Sequence, residues 1–391
     1  MAVGTGSKCL GENELSLDGS LVHDSHAEII ARRAFIIYLL HELENSFRNT
    51  KVKDSTKQDL IFEYDEKLKY FALKGGIRFH FYTTHPPCGD ATIAPKPTFR
   101  SEININQETN PNHLQIKRQK LEIQSFIKDI HRTGAKCIDQ SIEKDPFDTN
   151  DSPMAYHTIG AIRRKPGRGD PTQSLSCSDK MAKWNFVGLQ GSFLSLLIPQ
   201  APILWSTITI GSEQCNIESV NRCLLGRFKN NENLLREIPL LRSDVSFPFS
   251  KTNDSKSEFD ANPLIPCSST IACAQSDGQL IFHDVLVNGR KQGVIKKYFG
   301  TPKSRVSICP LNFSKRFIKL LKQMHTACVS EMKCDICEVT SDKIKYCNLK
   351  QLCQNSNGWY KDRINAFYNF LPGLKEARQL RRDKIENFYI E

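Results

Sequence analysis

The chain has 391 residues, 39% hydrophobic and 25% charged, a balance ordinary for a water-soluble protein built around an apolar core. No apolar run approaches the roughly 20 residues that cross a bilayer. Met1-Ala-Val-Gly-Thr-Gly also lacks a basic-then-apolar leader, so neither a membrane span nor a secretory signal is expected. The 54 basic against 43 acidic residues leave a net charge of +11, which points to a polyanionic partner, although a solvated basic surface has the same composition. In the intracellular setting expected here (cytoplasm or nucleus), the 14 cysteines read as buried small hydrophobes, metal ligands or nucleophiles rather than disulfides.

In chain order, Asp24 to Leu43 has a helical pattern. Asp24 and Ser25 are good N-caps, and Ile29, Ile30, Ala34, Ile37 and Leu40 recur at three- and four-residue spacing. Arg78 to Thr84 is rich in aromatic and β-branched residues and predicts a strand, followed by a Pro-Pro turn into Cys88-Gly89-Asp90. Residues 96–157 are polar and read as a partly mobile insertion, with one helix over 116–130. After the basic loop Ile162 to Asp170, Ser176 to Ile198 predicts a buried helix capped by Ser or Asp. Ile203–Ile210 and Leu280–Val287 predict strands, the second ending in an Asn288-Gly289 turn. Residues 311–325 and 359–384 predict basic helices. With no internal repeat, strands alternating with helices argue for one α/β domain over 1–391 with helices on the sheet faces.

Two clusters carry chemistry: His26-Ala-Glu28 at a helix start, and Pro87-Cys88-Gly89-Asp90 after a strand. A His-x-Glu with a later Pro-Cys is the arrangement of zinc deaminases. Zinc takes three protein ligands and keeps one position open, where water is acidified. A carboxylate beside the metal but not bound to it moves the proton, a role open to Glu28 with His26 as ligand. The usual Pro-Cys-x-x-Cys is broken by Ala91, so the second thiolate must come from elsewhere. The candidates are Cys9, Cys137, Cys177 and Cys215, and Cys177 is favoured by its place at a helix start, where the dipole stabilises a thiolate. A capping His26, a solvated Glu28 and two buried thiols are the plainer alternatives taken singly; their joint occurrence favours the site.

Gly4-Thr-Gly-Ser-Lys-Cys9, Asp24-Ser-His-Ala-Glu-Ile-Ile-Ala-Arg-Arg33, Pro87-Cys-Gly-Asp90 and Ser176-Cys-Ser-Asp-Lys-Met-Ala-Lys-Trp184 resemble the adenosine deaminase (editase) domain of RNA-editing enzymes. Arg132 to Cys137, Lys165 to Asp170, and the spacing of Asn288-Gly289, Gln292-Gly293 and Lys296-Lys297 resemble its tRNA-acting branch. The resemblance implies a cytidine-deaminase-like three-layer α/β sandwich with a mixed sheet and a C-terminal helical elaboration. It implies zinc on His26, Cys88 and Cys177, with Glu28 shuttling protons as zinc-bound hydroxide attacks C6 of adenosine. It implies adenosine 37 of alanine tRNA as substrate, with no room before His26 for double-stranded-RNA modules. The partner is then tRNA rather than DNA or a membrane, and the chain acts as a monomer. It also implies buried inositol hexakisphosphate on Arg32, Arg33, Lys180, Lys183, Trp184 and Gln190, joined by Ser192, Tyr346, Lys350 and Lys361. Asp24 and Lys180 would relay hydrogen bonds from that site to the zinc. The resemblance would place a further helix and strand ahead of Gly4-Thr-Gly6. Cys334, Cys337, Cys347 and Cys353 would suit a second, structural zinc, but their spacing is irregular and the family does not call for it.

The target base must be unstacked and flipped into the pocket, at a cost of a few kcal/mol. The Arg164–Arg168 loop is expected to lean on the substrate, Lys165 contacting it and Arg168, between two glycines, filling the vacated space or clamping a phosphate. Two other readings exist. A catalytically silent RNA-binding or subunit protein on the same fold would bind tRNA without making inosine. A hydrolase using Cys88 or Cys177 as nucleophile with His26 leaves Glu28 without a role and would survive zinc chelation.

Overall fold

A computed structural model of the chain describes residues 1–16, 18–51, 60–93, 135–137, 159–167, 172, 174–211, 215–226, 237–245, 268–326, 361–363 and 365. The architecture is mixed α/β, with several sheets and one contiguous apolar core among these residues. Strands β1 (Ala2–Gly4), β2 (Ser7–Cys9) and β3 (Asp24–His26) come first, β2 and β3 pairing antiparallel with Ser7 opposite His26. Helix α1 (Ala27–Lys51) follows at once. Asp24 and Ser25 are therefore strand residues and not caps, because Lys8 and Cys9 offer them a ladder that local sequence cannot reveal. The helix also outruns the expected end at Leu43, since Phe47 continues the stripe of Leu40 and Leu43 and is buried with them.

The hairpin β4 (Phe62–Asp65) and β5 (Tyr70–Leu73) precedes β6 (His80–Thr83), inside the strand expected there. A 3₁₀ turn, Asp90–Thr92, closes the segment after Cys88. Within the 96–157 insertion only 135–137 is described: β7 (Lys136–Cys137) pairs antiparallel with β8 (Arg163–Arg164), and Ala135 is buried. The helix expected over 116–130 lies outside the described residues.

The helix expected over 176–198 is two. Helix α2 (Cys177–Val187) starts at Ser176, whose Oγ accepts from the Asp179 amide, and α3 (Gly191–Leu197) follows a break. Gly188 makes the break with φ +94°, a conformation that a side chain resists. Then come β9 (Thr207–Ile210), α4 (Ile217–Leu224), capped by Asn216, and β10 (Leu240–Arg242). β9 lies between β10 and β6, both parallel to it. Strands β11 (Ser269–Ser276), β12 (Gln279–Val287) and β13 (Arg290–Lys291) form an antiparallel sheet in the order β1-β11-β12-β13, the expected Asn288-Gly289 turn joining the last two. Helix α5 (Pro310–Thr326) matches its expected span. Of the helix expected over 359–384, residues 361–363 and 365 are described and helical. Cys334, Cys337, Cys347 and Cys353 lie outside the described residues. Among the described residues no helix is long and apolar enough to cross a membrane.

Candidate metal centre

Three segments meet at one point. β3 delivers His26 at its end, the turn after β6 delivers Cys88, and the first residue of α2 is Cys177. His26 Nδ1 lies 3.7 Å from Cys88 Sγ and 3.5 Å from Cys177 Sγ, and the three donor atoms lie within 4.8 Å of one another. A tetrahedral zinc, with bonds of about 2.3 Å to sulfur and about 2.0 Å to nitrogen, needs sulfur–nitrogen separations of about 3.5 Å. The donor set and its spacing therefore fit the ion. This trio is the group of metal-ligating type found among the described residues; Cys9 and Cys215, the other described candidates with described side chains, stand apart from it.

Backbone contacts hold the thiols in place: the Cys177 amide donates to Cys88 Sγ (3.3 Å) and the Ser178 amide to the Cys88 carbonyl (3.0 Å). Hydrogen bonding from Cys177 and the nearby Lys165 charge pull the Cys88 thiol well below its usual range despite burial, whereas burial pushes Cys177 well up. Glu28, buried in the first turn of α1, brings Oε2 to 3.2 Å from Cys177 Sγ. Burial, then the Cys88 charge, raise its carboxyl above the usual value.

Lys165 corrects an expectation. It does not project from a surface loop toward substrate but is buried, with Nζ 2.6 Å from Asp24 Oδ2 and 3.3 Å from Cys177 Sγ. The physical reason is strand alternation: Arg163 in β8 and Lys165 two residues on point the same way, inward, and both are fully buried. Lys180 Nζ also reaches Asp24 Oδ2 (2.5 Å), and Ser174 Oγ donates to that oxygen (2.9 Å). Burial acts to raise the Asp24 carboxyl, but the two ammonium groups outweigh it and hold it well below the usual range. The same carboxylate offsets burial at Lys165 and keeps its ammonium well above the usual lysine value. A continuous chain thus runs Lys180–Asp24–Lys165–Cys177. Its Lys165 link was missed from sequence, the one signal being the in–out alternation of a short basic strand. Arg168 lies outside the described residues.

The residues expected around inositol hexakisphosphate divide. Arg32 stacks its guanidinium over Trp184, 4.8 Å from the ring centroid, and Arg33 Nη1 donates to the Ile308 carbonyl (3.2 Å). Arg33 Nε and both polar atoms of the Asn185 amide are buried without a hydrogen-bond partner among the described residues. Of these, the Arg33 Nε and Asn185 Nδ2 donors are what the oxygens of a polyanion would satisfy. Lys183 lies on α2 and Ser192 on α3. Gln190 instead turns its amide to the backbone, accepting from the Ile203 amide (2.9 Å), so part of its capacity is spent on the chain. Lys361 is exposed, and Arg363, two residues on, takes the inward position with Nη1 on the Phe186 carbonyl (2.8 Å). Tyr346 and Lys350 lie outside the described residues.

Comparison with known proteins agrees with this geometry. Residues 2–366 match the adenosine-deaminase (editase) domain. The chain is 31% identical to human tRNA-specific adenosine deaminase 1 over 83% of its own length and 77% of that protein. It is 33% identical to the Drosophila melanogaster protein of the same name, over 82% and 71%. To the double-stranded RNA-specific editase Adar of the same fly it is 30% identical over 59% of this chain and 29% of that protein. The chain belongs to the adenosine-deaminase (editase) family of enzymes.

Proposed function

We propose that this protein is a zinc-dependent deaminase that converts an adenosine of tRNA to inosine, the base being adenosine 37 of alanine tRNA. The observation that carries the reading is the convergence of His26, Cys88 and Cys177 with the Glu28 carboxylate at their side. Relatives above 30% identity named tRNA-specific adenosine deaminase 1 support tRNA as the substrate class.

The reaction replaces the amine at C6 of adenine by oxygen from water and releases ammonia. His26, Cys88 and Cys177 would hold zinc, which would supply a Lewis acid to acidify a water molecule. Glu28 stands outside the ligand set, so its Oε2 is free to accept the water proton and to return protons to the purine nitrogen and the departing amine. Asp24 positions the centre twice: Oδ1 accepts from the His26 amide (3.2 Å), and Oδ2 holds Lys165 against Cys177. The base enters by flipping, with Arg168 occupying the vacated space or clamping a phosphate.

Inositol hexakisphosphate is the second cofactor in this reading, held by Arg32, Arg33, Lys180, Lys183 and Trp184, with Tyr346 and Lys350. It would neutralise cations that otherwise repel in a desolvated interior. The cytidine-deaminase-like three-layer arrangement is supported by the parallel β6–β9–β10 set, which places Cys88 just beyond the carboxyl end of β6. Free thiols at Cys9, Cys88, Cys177, Cys215, Cys223, Cys273 and Cys309 support a reducing, intracellular setting, and a monomer acting on tRNA needs no partner chain.

Glu28→Gln tests the assignment. It is expected to retain zinc, measured by elemental analysis, while inosine, read as adenosine-to-guanosine changes in a panel of tRNAs, falls at least roughly a hundredfold. Zinc-loaded wild-type protein that makes no inosine in any tRNA overturns the reading.

A further inference from the structure

From Val287 to Arg305 the sequence holds six cations (Arg290, Lys291, Lys296, Lys297, Lys303 and Arg305) and no acid. Two are struts. Arg290 lies over Phe299, 4.4 Å from the ring centroid, and Arg305 Nη2 donates to the Gly300 carbonyl (2.9 Å). The four lysines are exposed, and among the described residues none forms an ion pair. Asp284, the nearest acid in sequence, accepts from the Ser307 amide (2.6 Å). Lys297 and Lys303 do not splay apart as repelling surface charges would. Both hold Nζ over the Tyr298 ring, at 5.1 and 4.6 Å from its centroid. Between these charges Ile295 is 58% and Phe299 41% exposed.

We propose that this surface, 290–305, is a docking site for the tRNA substrate outside the catalytic pocket, with the lysines on backbone phosphates and Phe299 and Ile295 against bases or riboses. It rests on the deaminase reading for the identity of its RNA. Two ammonium groups held over one tyrosine ring, with exposed apolar side chains nearby in sequence, match a ligand that alternates phosphate charge with flat π-faces. Phe299 stays 41% exposed although Arg290 lies over its ring, which leaves apolar surface open to a base or ribose. The surface is also near the centre: the Val22 amide donates to the Gly289 carbonyl (3.1 Å). Val22 lies four residues before His26, a stretch of chain spanning at most about 14 Å. An RNA with its base at the centre therefore has flanking phosphates near the Gly289 end of this surface.

The test is tRNA affinity against salt, measured with an unmodified alanine tRNA transcript and zinc-loaded Glu28→Gln protein, which separates binding from turnover. Adding Lys296→Ala, Lys297→Ala and Lys303→Ala is expected to weaken binding roughly tenfold and flatten the slope of log affinity against log salt by about 2. Phe299→Ala is expected to lose about fivefold with the slope kept, the mark of stacking rather than charge. Zinc content and melting temperature confirm that each variant is folded. An unchanged affinity and slope in the triple variant overturns the proposal. Wild-type protein that makes inosine while the triple variant binds normally rejects the surface alone. A flattened slope with no inosine in any tRNA rejects the deaminase reading alone.

Discussion

Lys165 keeps its charge where solvent has no access, between Asp24 and Cys177. Removing an ammonium from water costs several kcal/mol, and the 2.6 Å contact with Asp24 offsets that cost only while both partners remain. Lys165→Met keeps the stem and deletes the charge, leaving Lys180 as the one ammonium on Asp24 among the described residues. Unfolding stability of the zinc-loaded protein, followed in urea, is expected to fall by about 3 kcal/mol. A midpoint equal to wild type would show that Lys180 suffices. His26, Glu28 and Cys88 were legible as residue types at telling spacings, because His-x-Glu and Pro-Cys are local. Lys165 was not, because a basic residue in a loop looks the same whether it faces water or a carboxylate that follows His23 far upstream in the chain.

At the scale of elements, the centre depends on how closely the Cys88 turn approaches the start of α2. Gly89 has φ +102°, and a Cβ there would lie 2.4 Å from Ser176 Oγ, the atom that caps α2. Gly89→Ala must therefore push the two segments apart and disturb both the cap and the Ser178-to-Cys88 bond. Zinc affinity, measured by competition with a chromogenic chelator, is expected to drop roughly 10- to 100-fold while the fold survives; unaltered affinity would mean that the turn adjusts without moving Cys88. Periodicity located α1, β6, β12 and α5 because each follows one period through its length. It failed at Asp24–Ser25 and across 176–198, where a paired strand and a left-handed glycine override an apparently helical run.

Across the whole molecule, burial leaves a signature in alkaline stability. Burial pushes the Cys215 thiol from 9.0 to about 11, and burial with the Glu42 charge pushes Tyr38 from 10.0 to about 12. The folded chain then holds two protons over a range in which the unfolded chain releases them, so stability falls as pH rises. The fall begins near the unfolded Cys value of 9.0, and below it neither group contributes. The melting temperature is expected to decline from pH 9 to pH 11, and Cys215→Ala with Tyr38→Phe to flatten that decline; parallel curves would assign the loss to other groups.

The sequence by itself determined the chemistry on offer: an imidazole and a carboxylate two residues apart, a thiol in a Pro-Cys turn, another at a helix start, and a cationic excess suited to RNA. It did so because those features are local or additive along the chain. Only the tertiary structure decided that Cys177, not Cys9 or Cys215, completes the trio, that Lys165 points inward, and that Arg363 rather than Lys361 reaches Phe186. Each of these is a choice between chemically similar residues far apart in sequence, and it is made by which strands pair and which faces they bury.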